Sequence, residues 1–387
     1  MNMTMEKLKN NQQTGYVSLN LKKVLLGLSG GVDSTTAALL LKEQGYEVIG
    51  YYFDITGCNA EGIAEAQAVA DQVGIELITE DVQKRFDSVV IDNFCSEYMA
   101  GRTPNPCIVC NPGVKFRCLL EKANEVGAYY IATGHYARIH RGPMPYDETC
   151  ETEMECCCRE KYYVKQGANQ RKDQSYMLYR LDQDVLSRLI LPLGEYEDKE
   201  EIRDIARSVN LSNAEKKDSQ EICFVPDDDY VSYMAHRGCT AEPGNYVDQD
   251  GKVLGQHKGV IHYTIGQRKG LGIALGKPAF VTKIDAERNE VVLGSNEDLF
   301  TTAVLSDGNV FSAGGNPTDY DGMKVLAKVR YSARPSEAVI RVQVGKTGET
   351  DALLVLTEFT EPQRAATPGQ SIVWYVGDHV IGGGFIK

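Results

Sequence analysis

The stretch Lys23–Ser34, KVLLGLSGGVDS, decides the reading of the fold. An apolar run of strand length meets a Gly-Gly turn, and the Ala- and Leu-rich segment Ser34–Gln44 that follows favours helix. Val48–Asp54 (VIGYYFD) then reads as a second buried strand, which completes a βαβ unit. The alternation continues with a helix near Ile63–Val73, a strand at Ile75–Val82, a helix near Val114–Val126 and a strand at Tyr129–Thr133. This order predicts an α/β fold with a doubly wound parallel sheet. The pattern breaks at residues 139–163, a polar, Cys-rich stretch that reads as a surface excursion between strands. Helical patterning returns at Ser175–Leu181, Val185–Ile190 and Lys199–Val209.

After about residue 225 glycines and prolines become frequent, and short β-rich runs recur: Ala279–Ile284, Glu290–Leu293, Lys324–Tyr331, Ala338–Val344, Ala352–Phe359 and Ser371–Val376. Their spacing predicts antiparallel structure. The expected organisation is a catalytic domain over 22–225, a small linking domain over 226–298 and a C-terminal β-barrel over 299–387.

The turn Ser29-Gly30-Gly31-Val32-Asp33-Ser34 carries the first chemical signal. Two glycines let backbone N–H groups approach an anion, two serines add hydroxyl donors, and the helix N-terminus favours phosphate. The Gly-Lys-Ser/Thr ending of a Walker A loop is absent. The hexapeptide resembles the pyrophosphate-binding (PP) loop of the ATP pyrophosphatase superfamily, which implies ATP and Mg²⁺ as cofactors.

Composition sets limits around that motif. The 387-residue chain, 42% hydrophobic and 25% charged, is of globular type. No run approaches the roughly 18 apolar residues of a membrane helix, and residues 1–21 lack the apolar core of a signal peptide, so a cytoplasmic protein without membrane contact is expected. Forty-one Lys and Arg against 54 Asp and Glu give a net charge of −13, which repels nucleic acid at long range. An RNA partner would need a local basic surface, for which Arg171-Lys172, Lys216-Lys217, Arg268-Lys269 and Arg330–Arg334 are the candidates.

Eleven cysteines in a chain of this kind point to thiol chemistry, metal binding or burial. In Thr103-Pro-Asn-Pro-Cys107-Ile-Val-Cys110-Asn111 two prolines stiffen the backbone ahead of Cys110, a presentation suited to a nucleophile. The alternative is half of a structural zinc site, for which a second matching pair is missing; Cys150 and Cys156–Cys158 are the other cluster, read as decoration. Cys58, Cys95, Cys118 and Cys239 read as small buried hydrophobes.

Several motifs in order, SGGVDS, GRTPNPCIVCN, ATGHYAR (132–138), KDQSYML (172–178), DSQEICF (218–224), GQRKGLGI (266–273) and TPGQS (367–371), resemble the bacterial tRNA-specific 2-thiouridylases, from about residue 22 to the C-terminus. The resemblance implies sulfur transfer to the wobble uridine of tRNA, from a persulfide donor or relay protein, after ATP activates the C2 oxygen. It implies that Gly27, Leu28, Ser29, Gly30, Gly31, Val32, Asp33 and Ser34 hold ATP, with Phe53 and Gly134 lining the nucleotide. Cys110 would be the nucleophile and Cys223 the persulfide carrier, the two ending in a disulfide. Asn105, Pro106 and Cys107 would face the target base; His135, Lys172, Asp173, Gln174, Arg330, Tyr331 and Gln370 would contact tRNA. The commonest family pattern has Asp where this chain has Cys107. That change leaves open a [4Fe–4S] cluster on Cys107, Cys110 and Cys223. For His135, Lys172, Asp173 and Gln174 the residues alone fit equally well a satisfied histidine and a capped helix start. A different ATP pyrophosphatase and a non-catalytic tRNA-binding protein are the competing functions.

Overall fold

The computed structural model describes residues 19–143, 161–209, 211, 213, 222–225, 228–347 and 350–387. Strands β1 (Asn20–Gly27), β2 (Glu47–Asp54), β3 (Glu76–Asp81) and β4 (Ala128–Ala132) pair in parallel in the order β3-β2-β1-β4. Val24, Leu25 and Leu26 are all fully buried, because helices cover both faces of the sheet. Val24 and Leu26 join the core under the helices Val32–Glu43 and Ala60–Val73, while Leu25 joins the core under Phe116–Glu125.

The excursion expected at 139–163 is corrected at both ends. Ala137–Gly142 (β5) and Lys161–Gln166 (β6) are strands, paired antiparallel from Ala137↔Gln166 to Gly142↔Lys161. The polar sequence between them masked the pairing, and Cys150, Cys156, Cys157 and Cys158 lie outside the described residues. The helical patterning at Val185–Ile190 also resolves differently. Asp182 caps a short helix, Gln183–Leu186, and Leu189–Ile190 (β7) extends the parallel sheet beside β4. Arg188 decides that outcome by donating to the carbonyls of Ala128 and Tyr129 at the β4 edge.

After the helices Lys199–Ser208 and Tyr230–His236 the described chain is mainly β. Gly244–Val247 (β8), Val253–His257 (β9), Phe280–Asp285 (β10) and Glu290–Gly294 (β11) form a four-stranded sheet in the order β10-β11-β8-β9. Phe300–Phe311 (β12), Lys324–Lys328 (β13), Ser336–Thr347 (β14), Thr350–Arg364 (β15), Ser371–Val376 (β16) and His379–Ile386 (β17) follow in antiparallel pairing, and β12 closes on β17 to make a barrel around Trp374, Ile340 and Val355. Beyond β17 the barrel sheet continues into β6 and β5. Val373, Tyr375 and Val380 of the barrel share one continuous core with the catalytic domain, so the barrel is a wall of that domain.

Candidate functional site

The turn of the phosphate loop closes first on its own residues. Gly30 takes φ +74°, a conformation that favours glycine. The Ser29 N–H donates to Ser34 Oγ at 3.2 Å, and Ser34 Oγ donates to the Gly31 carbonyl at 3.0 Å. The helix Val32–Glu43 starts with Gly31 as N-cap and no capping side chain, so its first N–H groups face outward for an anion. This is the observation that fits a nucleotide phosphate to Gly27–Ser34. The ring of Phe53 lies over Gly27, where an added Cβ would come within 3.3 Å of it.

Asp33 is not free to act alone. Tyr136 donates its hydroxyl to Asp33 Oδ1 at 2.7 Å, and the Lys199 ammonium sits 3.2 Å from Oδ2. Lys199 is 8% exposed and opens a helix whose N-cap, Asp198, forms a capping box with Glu201. Asn213 steadies the other side, donating to the Gly30 carbonyl and to Thr35 Oγ1, both at 2.8 Å. Sequence reasoning missed Tyr136, Lys199 and Asn213. Their distance along the chain hid them, although Tyr136 lies inside a quoted motif.

The turn after β4 joins this loop to the cysteines. Gly134 packs so closely that a Cβ would meet the Asp33 carbonyl carbon and the Ser34 nitrogen at 2.9 Å. The next residue, His135, bonds through Nδ1 to Thr133 Oγ1 at 2.7 Å and packs against Phe116. Burial and then the Lys115 charge hold its imidazole well below the usual range, so His135 is neutral at physiological pH. The same Lys115 ammonium acts on Cys110 and Cys223.

Cys107 and Cys110 lie on the short helix Pro106–Cys110, with Pro106 at its first turn and Asn105 as N-cap accepting from the Cys107 N–H at 3.2 Å. Cys107 and Cys223 are exposed; Cys110 is partly covered. Burial pushes the Cys110 thiol up to about 11; Lys115 opposes that rise, and negative charge on Cys223 and Cys107 reinforces it. The Cys223 thiol is also raised, first by the chain packed around it and then by charge on Cys107, with Lys115 opposing, although the residue keeps an exposed side. The three cysteines therefore share one electrostatic neighbourhood with one cation, Lys115, which the sequence reading did not single out. Among the described residues no group of three His, Cys, Asp or Glu side chains is arranged to hold a metal ion. Ser219, Gln220 and Glu221 lie outside the described residues.

The segment ahead of the cysteines is held from far away. The Thr103 N–H donates to the Pro368 carbonyl at 2.8 Å, and Gln370 Nε2 donates to the Thr103 carbonyl at 2.8 Å. Thr103 Oγ1 meets Thr264 Oγ1 at 2.6 Å. The resemblance put Gln370 on tRNA; here it bonds Thr103.

The hydrogen bonds of KDQSYML divide between the neighbouring turn, reached by Asp173 and Gln174, and the barrel, reached by Ser175 and Tyr176. Asp173, 5% exposed, accepts from the N–H groups of Gly167 and Ser175 and from the Ser175 hydroxyl. Gln174 accepts from the Tyr136 N–H at 2.9 Å. Tyr176 and Tyr179 reach Ser371 of β16. Lys172 is partly buried, with its N–H held by Asn169. Tyr331 is partly buried near Tyr176, and Arg330 Nε is buried without a hydrogen-bond partner. Of the basic candidates, Arg171, Arg268, Lys269 and Arg334 are exposed, while Lys216 and Lys217 lie outside the described residues. No helix among the described residues is long and apolar enough to cross a membrane.

Comparison with known proteins agrees with this architecture. Residues 22–227 match the family described as tRNA methyl transferase HUP domain, 232–295 its PRC-barrel domain, and 312–386 an aminomethyltransferase beta-barrel domain. A protein of Lachnoclostridium phytofermentans named tRNA-specific 2-thiouridylase MnmA is 46% identical over 95% of this chain and 99% of its own length. Proteins of the same name from Carboxydothermus hydrogenoformans and Clostridium acetobutylicum are 45% and 44% identical, over 95% of this chain and 98% and 99% of theirs. With identity of this order running through all three parts of the molecule, the chain belongs to the tRNA-specific 2-thiouridylase family.

Proposed function

We propose that this protein is an ATP-dependent tRNA sulfurtransferase that converts the wobble uridine to 2-thiouridine. The observation that carries the reading is the bridge from loop to thiols: Gly134 and Tyr136 hold Asp33, and His135 between them lies in the field of the Lys115 that faces Cys110 and Cys223. An activated oxygen and an incoming sulfur need such contiguous sites.

The C2 carbonyl of uracil is a weak electrophile with a poor leaving group. ATP, when bound, supplies an adenylate whose departure as AMP is easy. The N–H groups of Gly30 and Gly31, the hydroxyls of Ser29 and Ser34, and Lys199 through Asp33 would hold the phosphates and their Mg²⁺. Leu28 and Val32 fix the loop by burial at 1% and 3% exposure. A persulfide sulfur on Cys223 attacks C2 and expels AMP. The Cys110 thiolate then attacks the Cys223 sulfur, releases the thiocarbonyl and leaves a Cys110–Cys223 disulfide for an external reductant. Asn105 and Pro106 present exposed Cys107 beside the base, where its thiol substitutes for an acid/base group. A cytosolic, reducing setting suits this cycle.

The test supplies purified enzyme with ATP, Mg²⁺, unmodified tRNA and a persulfide donor. Expected products are 2-thiouridine by mass spectrometry and AMP in equal amount. A methylated base formed with a methyl donor, and no thiolated one, would reject the reading. Binding to tRNA should weaken steeply with salt, since an acidic protein holds RNA only through local cations. Anaerobic protein bearing about four irons, inactive after chelation, would replace the persulfide route by the cluster route.

A further inference from the structure

Lys328 closes strand β13 at the wall where barrel meets catalytic domain, and it is 8% exposed. Its ammonium lies 5.8 Å from the ring centre of Tyr176 and 5.7 Å from that of Tyr331, and among the described residues no side chain or carbonyl takes its hydrogen bonds. The nearest carboxylate influence is Asp173, whose oxygens are already occupied by Gly167 and Ser175. An ammonium carried on a largely buried stem, with ring faces as its nearest company, loses much of its hydration and keeps its protons for a partner that enters from the open side. Two residues on, Arg330 Nε is buried without a hydrogen-bond partner. Tyr331, which completes this wall, stands in the field of Asp173 and Cys107, so these donors border the cysteine site.

The chemistry of the reaction says what such a donor is for. Uracil and cytosine carry the same C2 carbonyl, so the sulfur-transfer machinery acting at C2 meets the same group in either base. They differ at the far edge, where uracil offers an O4 acceptor and cytosine an N4 amino donor. A site that thiolates uridine needs a donor there, and a lysine ammonium, with three protons and no acceptor, repels the cytosine amino group. We propose that Lys328 donates to O4 of the target uracil and is the residue that selects uridine over cytidine. This rests on the thiouridylase reading.

The experiment compares wild type, Lys328→Met and Lys328→Arg on two tRNAs that differ only in uridine or cytidine at the wobble position, with thiolated base scored by mass spectrometry and kcat/KM taken from each. Wild type should thiolate the uridine tRNA alone. Lys328→Met should lose about 30-fold on uridine, the scale of one well-placed base contact, and the uridine-to-cytidine preference should shrink accordingly. Lys328→Arg should keep most of that preference. Because methionine removes a charge that has lost much of its hydration, Lys328→Met should melt no lower than wild type, which rules out unfolding as the cause. An unchanged preference overturns the inference. So does equal loss on both tRNAs with a shallower salt dependence, which would mark a phosphate contact. Wild-type failure to thiolate uridine at all would instead overturn the thiouridylase reading itself.

Discussion

Ser29, Gly31 and Ser34 close the phosphate loop on one another within five residues, whereas Thr103, which introduces the cysteine helix, is held by Thr264, Pro368 and Gln370, as far as 267 positions away. The first site takes its phosphate donors from a strand-to-helix turn that closes on itself, with Tyr136, Lys199 and Asn213 steadying it from a distance. The second is a composite in which the loop between β9 and β10 and the turn leading into β16 both hold a short segment of the catalytic domain. A change in the barrel should therefore reach the thiols and leave nucleotide activation alone.

Knocking out each site gives the sharpest separation. Asp33→Ala or Ser34→Ala should lower AMP formation by at least about 100-fold and abolish thiolation with it, since charge on the phosphates is then unmet. Cys110→Ala and Cys223→Ala should abolish 2-thiouridine yet still release pyrophosphate in a single turnover, since the adenylate forms before any sulfur attacks; AMP follows once in Cys110→Ala, which keeps the attacking Cys223 persulfide. Pyrophosphate loss in the cysteine variants equal to that in the loop variants would erase the distinction between the sites. Next in size is Lys199→Ala, which leaves a partly buried Asp33 without its cation. AMP formation should fall by about 100-fold, and Lys199→Arg should recover part of it.

The same contrast explains what was legible in the sequence. KVLLGLSGGVDS gives strand, turn and helix in one reading because its interactions are local, and Gly30 needs its positive φ whatever lies elsewhere. Cys110 and Cys223 were found through motifs. Lys115, Lys199 and Lys328 were not, since a lysine reads as a solvated charge until the fold shows what surrounds it. β5 and β6 were missed because they pair with each other across a polar stretch, and their link to the barrel is a single pair, His379↔Lys165, that no local pattern announces. Asp173, Gln174 and Gln370 stand in motifs tied to RNA contact, and their hydrogen bonds show a structural duty that spacing does not reveal.

The clamp on Thr103 tests how far the barrel reaches. Gly369 has φ +88°, and a Cβ there would lie 2.9 Å from the Thr103 nitrogen, so Gly369→Ala is strained in two ways. Thiolation should fall about tenfold, from a strain of about 1–3 kcal/mol, with AMP release in the first turnover unaltered. Gln370→Ala removes one hydrogen bond, about 1 kcal/mol, and should cost about fivefold. A loss of AMP release matching the loss of thiolation would place the barrel under both sites.

The smallest effect concerns Lys115, and it is read as a titration. Burial raises the Cys110 thiol to about 11 and Lys115 pulls it back, because a nearby positive charge favours the thiolate. Removing the cation in Lys115→Ala must then move the midpoint of Cys110 alkylation by iodoacetamide upward, and at pH 8 the variant should alkylate several-fold more slowly. Peptide mass spectrometry follows Cys110 separately from Cys107 and Cys223 from about pH 8 to well past the wild-type midpoint of about 11. The shift has a second consequence at the bridge: His135, whose imidazole the same charge holds down, should titrate higher once Lys115 is gone. Both midpoints moving upward together would show that one ammonium serves both groups. A fixed Cys110 midpoint with a rising His135 midpoint would confine Lys115 to the nucleotide side and cut the link between loop and thiols.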